Sequence, residues 1–151
     1  KGGFEAALLR SIKVSEVMEK DSETVRVETG IQEVREKLQQ SETGELFVIK
    51  NDGELFGTIK LSDLSEIAFD HGVDNLVNAG DVARVHPPLL AADDDLLTAN
   101  RVIRDTGEHY IAVVQNHNSM KFVGTLHEMA LMAAYNRSLV EARREEHGGN
   151  L

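Results

Sequence analysis

The feature that most limits what this 151-residue chain can fold into is a pattern that it contains twice. Val14-Ser15-Glu16-Val17-Met18 returns as Ala79-Gly80-Asp81-Val82-Ala83, which sets Val17 and Val82 65 positions apart (82 − 17). At that displacement Thr24-Val25 falls on Leu89-Leu90, Ile31 on Leu96, Val34 on Ala99 and Leu38 on Ile103, so apolar positions meet apolar positions. Thr43-Gly44-Glu45 reappears as Thr106-Gly107-Glu108, and Gly57-Thr58-Ile59 as Gly124-Thr125-Leu126, with small changes of displacement that put the length differences in loops. Self-similarity of this kind predicts two copies of one small structural unit.

Within each copy the spacing of Ile31, Val34 and Leu38, and of Leu96, Ala99 and Ile103, marks one face of an amphipathic helix. Thr29 with Gln32 reads as a capping box, and Asp93 to Asp95 put acidic side chains beside the positive end of the second helix. The apolar runs Leu46-Phe47-Val48-Ile49 and Tyr110-Ile111-Ala112-Val113-Val114 read as strands buried on both faces. Asn51-Asp52-Gly53 is turn chemistry leading into a second strand, Leu55 to Ile59, and the polar stretch Asn116 to Lys121 leads into Phe122 to Leu126. A helix closes each copy, over 62–69 in the first and from near His127 in the second. The predicted order is helix, strand, helix, strand, strand, helix, an α/β (α+β) class.

Composition sets outer bounds. A chain this long buries roughly 68–70% of its unfolded surface, enough for a real core. The hydrophobic fraction of 41% and charged fraction of 28% are those of a folding globular chain. A formal net charge of −10 opposes a sequence-independent grip on nucleic acid, while leaving a local anion pocket open. The absence of cysteine removes disulfides, thiol catalysis and thiolate zinc sites. No apolar run approaches the roughly 20 residues of a membrane helix, and the opening Lys1-Gly2-Gly3-Phe4 has no signal-peptide core. A first residue of Lys suggests a segment of a longer chain.

The element order, with Val14-Ser15-Glu16-Val17-Met18 in front and Gly57-Thr58-Ile59-Lys60-Leu61-Ser62-Asp63-Leu64 behind, resembles the CBS domain over nearly the whole chain, and two copies resemble a Bateman module. The resemblance implies two repeats packed about a pseudo-twofold axis, with clefts that hold adenosine-containing ligands such as ATP, ADP, AMP or S-adenosylmethionine. It implies boundaries at 1–13 for a lead-in linker, 14–69 for the first repeat, 70–78 for a connector, 79–133 for the second repeat and 134–151 for a C-terminal helix and tail. The flanks, Glu5 to Val14 and Ala134 to Gly148, are similar to the cytoplasmic C-terminal region of bacterial ClC-type chloride channels and antiporters. That likeness implies a regulatory domain on the cytoplasmic side of a membrane, joined to a transmembrane transporter domain and forming a homodimer. The alternatives are an adenine-nucleotide sensor, free-standing or attached to an enzyme, and a ligand-free dimerisation scaffold.

By the same resemblance Asp63 stands at the family's ribose-binding position, where a carboxylate accepts hydrogen bonds from both ribose hydroxyls. A carboxylate at the start of a helix also opposes the helix dipole with no ligand present, and the residues alone leave both readings open. Lys60 replaces a family Thr or Ser and either reaches a phosphate or is solvated. A cleft built on Asp63 borrows Thr106, Gly107 and Tyr110 of the other repeat, with Glu108 unfavourably near the phosphates. In the second repeat the equivalent positions are His127 and Ala130, so the carboxylate is missing there.

No catalytic residue is expected. There is no Gly-x-Ser-x-Gly elbow, no Walker loop and no Gly-x-Gly-x-x-Gly after a strand. The six histidines, His71, His86, His109, His117, His127 and His147, show no metal-ligand spacing, and Asp93 to Asp95 lack the Gly and terminal Glu of a calcium loop. Asn136-Arg137-Ser138 fits the glycosylation pattern, but on a helix expected on the cytoplasmic side. The stretch from Met129 to Glu146 places Leu131, Met132, Tyr135, Leu139 and Ala142 at helical spacing, an amphipathic helix that packs on its own module and contributes a dimer contact.

Overall fold

The computed structural model describes residues 2–64 and 76–148. The described residues form a mixed α/β structure with two sheets and five α-helices. In chain order these are α1 (Gly2–Arg10), β1 (Thr24–Arg26), α2 (Ile31–Gln40), β2 (Glu45–Ile49) and β3 (Leu55–Lys60). They continue with α3 (Ala79–Val82), β4 (Arg84–Val85), β5 (Leu89–Ala91), α4 (Leu96–Thr106), β6 (Tyr110–Val114), β7 (Phe122–His127) and α5 (Glu128–Gly148), and single 3-10 turns lie at Val14–Glu16 and Leu61–Leu64. The lead-in 1–13 thus carries α1, and the opening helix expected at Val14 is a 3-10 turn. The helix expected over 62–69 is described only to Leu64; residues 65–69, the connector as far as 75, and His71 lie outside the described residues.

The chain divides into two compact units, neither continuous in sequence. One, the first-repeat unit, comprises Asp21–Pro87 with His117–Phe122. Its sheet runs β1-β2-β3-β4, with β1 parallel to β2 and the other pairs antiparallel. The parallel pair needs a crossover, which α2 supplies. Ile31, Val34 and Leu38 of α2 are buried against Val25, Leu46, Val48 and Ile59 of the sheet, with Leu64 and Ala79 completing the cluster. Because strand side chains alternate, Phe47 points away from that cluster; it is buried all the same and stacks on Phe122, ring centroids 5.2 Å apart. That accounts for the unbroken apolar run of β2. The polar stretch before β7 is held here too, since Leu55 N–H donates to Met120 O (2.9 Å) and Phe122 N–H to Gly53 O (3.0 Å).

The second-repeat unit comprises Lys1–Lys20, Pro88–Asn116 and Val123–Leu151. Its sheet runs β5-β6-β7, with Leu89 to Ala91 parallel to Ala112 to Val114. Leu96, Ala99 and Ile103 of α4 pack with Leu90, Ile111, Val113 and Leu126, and the same cluster takes in Leu9, Val14, Leu131 and Ala134. Asp95 caps α4 by accepting from Thr98 N–H (2.9 Å), and Gly107 ends it in the left-handed conformation, φ 71°. The capping box expected at Thr29 is not formed. The N-cap of α2 is Gly30, and the Thr29 hydroxyl instead accepts from Arg26 N–H (3.1 Å), closing the turn before the helix. On α5 the buried positions are Leu131 and Ala134, while Met132, expected on the inner face, is exposed together with Met129 and Val140.

What holds each unit together is the segment that leads into the other copy of the repeat. Val14 N–H donates to Asp94 O and Ser15 N–H to Ala92 O, both 2.8 Å, and Ile12 O accepts from Leu96 N–H (2.9 Å) at the start of α4. Sixty-five positions on, Ala79 N–H donates to Thr29 O (2.7 Å), Gly80 N–H to Val27 O (2.8 Å), and Val77 O accepts from Ile31 N–H (3.1 Å) at the start of α2. The duplication is therefore preserved bond for bond. Each lead segment then runs along a glycine: Glu19 exchanges hydrogen bonds with Thr125 (2.7 and 2.9 Å), and Arg84 registers with Thr58. A Cβ at Gly124 would collide with the Glu19 carbonyl, and one at Gly57 with the Arg84 carbonyl, which explains the glycine in both copies of Gly-Thr-Ile/Leu. Gly57→Ala and Gly124→Ala are each expected to lower the unfolding free energy by about 1–3 kcal/mol in urea titrations followed by circular dichroism. Gly3→Ala, in open space within α1, should leave it unchanged or slightly raised.

Candidate ligand site around Asp63

The first-repeat unit brings together Lys60 and Asp63, and it does so by local geometry. β3 ends at Lys60, the backbone tightens into the 3-10 turn Leu61–Leu64, and the Asp63 carboxylate reaches back so that its Oδ2 accepts from Lys60 N–H (3.0 Å). The same reach, three residues back, recurs where Lys13 N–H donates to Glu16 (2.7 Å) and Asn78 N–H to Asp81 (2.9 Å). Asp63 therefore fills the structural role that a carboxylate at a helix start predicts. Lys60 registers directly opposite the buried Glu45 on β2, a cross-strand pair of opposite sign.

A third residue completes the cluster. Arg84, on β4, closes its guanidinium on Asp63, with Nε 3.0 Å from Oδ1 and 3.1 Å from Oδ2, and Nη2 2.5 Å from Oδ1. The side chain of Asp63 is 14% exposed and that of Arg84 56%, so the carboxylate sits at the floor of the pair and the cation at its rim. Sequence reasoning missed Arg84. It lies 21 residues from Asp63, and only the β3–β4 register, Thr58 opposite Arg84, brings the two side chains together.

Thr106, Gly107 and Tyr110 lie in the second-repeat unit, grouped at the turn from α4 into β6. The Thr106 hydroxyl donates to Val102 O (2.7 Å) and accepts from Glu108 N–H (3.2 Å), so it serves the helix end. Tyr110 packs at a tilt against His127, ring centroids 4.4 Å apart, and His127 Nδ1 accepts from Met129 N–H (3.3 Å). Ala130 stands where the first repeat has Asp63. The start of α5 is held by His109 instead, whose carbonyl accepts from Glu128 N–H (2.9 Å) and whose Nδ1 lies 3.0 Å from Glu128 Oε2. Among the described residues no three His, Asp or Glu side chains gather as metal ligands, and no helix is long and apolar enough to cross a membrane. An open groove of about 350 Å³ on α5, lined by Asn136, Arg137, Val140, Glu141 and Arg144, holds none of the expected site residues.

Residues 14–70 match the family model of the CBS domain. No curated protein sequence matches the chain. Among solved structures, the chain is similar to CBSX2 in complex with AMP, at 20% identity and a TM-score of 0.70, over 83% of this chain and 97% of that one. It is also similar to a CBS domain-containing protein of unknown function from Bacillus anthracis, at 18% identity and a TM-score of 0.72, over 85% and 96%. A third similar structure is the CBS domain of a bacterial CNNM/CorC family Mg2+ transporter, at 12% identity and a TM-score of 0.70, over 87% and 79%.

Asp63→Ala removes both the backbone acceptor and the Arg84 partner. Because Arg84 is largely exposed, the pair adds little beyond the cap, and a loss of about 1–2 kcal/mol in ligand-free stability is expected by chemical denaturation.

Proposed function

We propose that this chain, whose fold is that of a CBS-domain pair, works as a regulatory module that takes the ribose of an adenine nucleotide on Asp63. The observation that carries this reading is a partly buried carboxylate pinned at the end of β3 by Lys60 N–H, a rigid acceptor for a vicinal diol. The AMP-bound state of a structure with the same fold supports the class of ligand. Lys60, next to that carboxylate, supplies positive charge for a phosphate in a chain that is otherwise strongly acidic. Thr106, Gly107 and Tyr110 form a separate group of candidate ligand contacts in the second-repeat unit.

The module acts on an attached protein, and only through a difference in ligand affinity between two of its states. The flanks, similar to those of chloride channels and antiporters, support a membrane transporter as that protein, with this segment on its cytoplasmic side. The exposed Met129, Met132 and Val140 of α5 support association into a homodimer. A ligand-free scaffold is the second reading, favoured by the absence of a carboxylate at Ala130 and by the Arg84 partner already present on Asp63.

Thermal unfolding with and without millimolar ATP, ADP, AMP and S-adenosylmethionine tests the choice. A ligand at about 100 times its dissociation constant stabilises by about 2.7 kcal/mol. The expected outcome is an upward shift with an adenine nucleotide that Asp63→Ala abolishes. No shift with any of the four overturns the sensor and leaves the scaffold.

A further inference from the structure

We infer that Arg84 is a built-in latch on the nucleotide site: its guanidinium occupies the carboxylate that the ribose needs, so binding begins with an exchange of Arg84 for the ligand on Asp63. The inference rests on the proposed role of Asp63.

The occupancy of the carboxylate carries the argument. Two carboxylate oxygens offer about four lone-pair positions. Three N–H donors already fall on them: Arg84 Nη2 on Oδ1, the single Arg84 Nε–H shared between Oδ1 and Oδ2, and Lys60 N–H on Oδ2. The Lys60 bond belongs to the backbone turn and remains as long as the turn does. A ribose diol needs an acceptor position on each oxygen, and Oδ1 has only those that Arg84 holds. The exchange is feasible because Arg84 is the exposed member of the pair and leaves into water, whereas Asp63 stays at the floor.

Two further observations fit a latch. Arg84 belongs to β4, a two-residue edge strand with both side chains exposed, so its side chain reaches Asp63 from the rim of the sheet. The arrangement is also confined to one copy of the repeat. At the displacement of the duplication Arg84 corresponds to Glu19 (84 − 65), and the counterpart of Asp63 is Ala130, so the cation is present only where the carboxylate is.

The test is calorimetric titration of AMP and of adenosine into the wild-type chain, Arg84→Ala and Arg84→Gln, the last keeping side-chain length without the charge, with far-ultraviolet circular dichroism confirming that each is folded. Displacing a largely exposed ion pair costs little, so both variants are expected to bind both ligands roughly two- to fivefold more tightly than the wild type. Wild-type binding of AMP with equal or weaker binding by the Arg84 variants removes the latch and leaves the nucleotide reading in place. Weaker AMP binding with unchanged adenosine binding also overturns it, by making Arg84 a phosphate contact. Failure of all three proteins to bind either ligand overturns the nucleotide reading, and the latch with it.

Discussion

A helix that begins inside a small α/β unit leaves amide groups that must find acceptors before anything can pack around them. In both units the acceptor for the first helical amide comes from a distant part of the chain: Ile12 O for Leu96 and Val77 O for Ile31. These bonds fix where α2 and α4 start, and the apolar faces of those helices in turn fix the parallel pairs β1/β2 and β5/β6 against them. Beyond that shared carbonyl the two helices differ: α4 adds the Asp95 side-chain cap, whereas α2 has Gly30 at its N-cap and the Thr29 hydroxyl closes the preceding turn. The close backbone approach at Gly57 and Gly124 follows from the same lead segments continuing along β3 and β7.

The sequence made visible whatever depends on neighbours within a few residues. Ile31, Val34 and Leu38 announce a buried helical face because a 3.6-residue period needs no knowledge of the partner. The Asn51-Asp52-Gly53 turn is legible for the same reason, as the positive φ of Gly53 (87°) is a local demand. Periodicity on α5 was less informative. Several rotations of a mixed helix bury a comparable apolar stripe, and its contacts with α1 and α4 select Leu131 and Ala134 over Met132. The exchange of lead segments was hidden, because the displacement of a repeat tells which residues are equivalent and nothing about which body each copy joins.

The candidate site shows the same division. Lys60 and Asp63, three residues apart across one turn, and Thr106, Gly107 and Tyr110, at one helix end, were legible only through the resemblance to the CBS domain. Arg84 escaped because its approach to Asp63 is set by strand register. A formal charge of −10 pointed to the sign of the average surface, while the chemistry at Asp63 is governed by one guanidinium and one backbone amide. Electrostatics at this range overrides composition, and a local reading of charge is the useful one.

The matched family segment, 14–70, is not a segment that packs as one unit. Its first residues are bonded to Ala92, Asp94 and Thr125, while its own helix is capped from Val77. During vectorial synthesis the first copy therefore leaves the ribosome with its lead segment unpaired and α2 uncapped until later residues emerge, and the second-repeat unit closes only after Thr125 has been made. Long sequence separation of this kind slows folding and prolongs exposure of unpaired edges. A single copy of the repeat lacks the chain that supplies these bonds, so each unit draws on both copies for its completion.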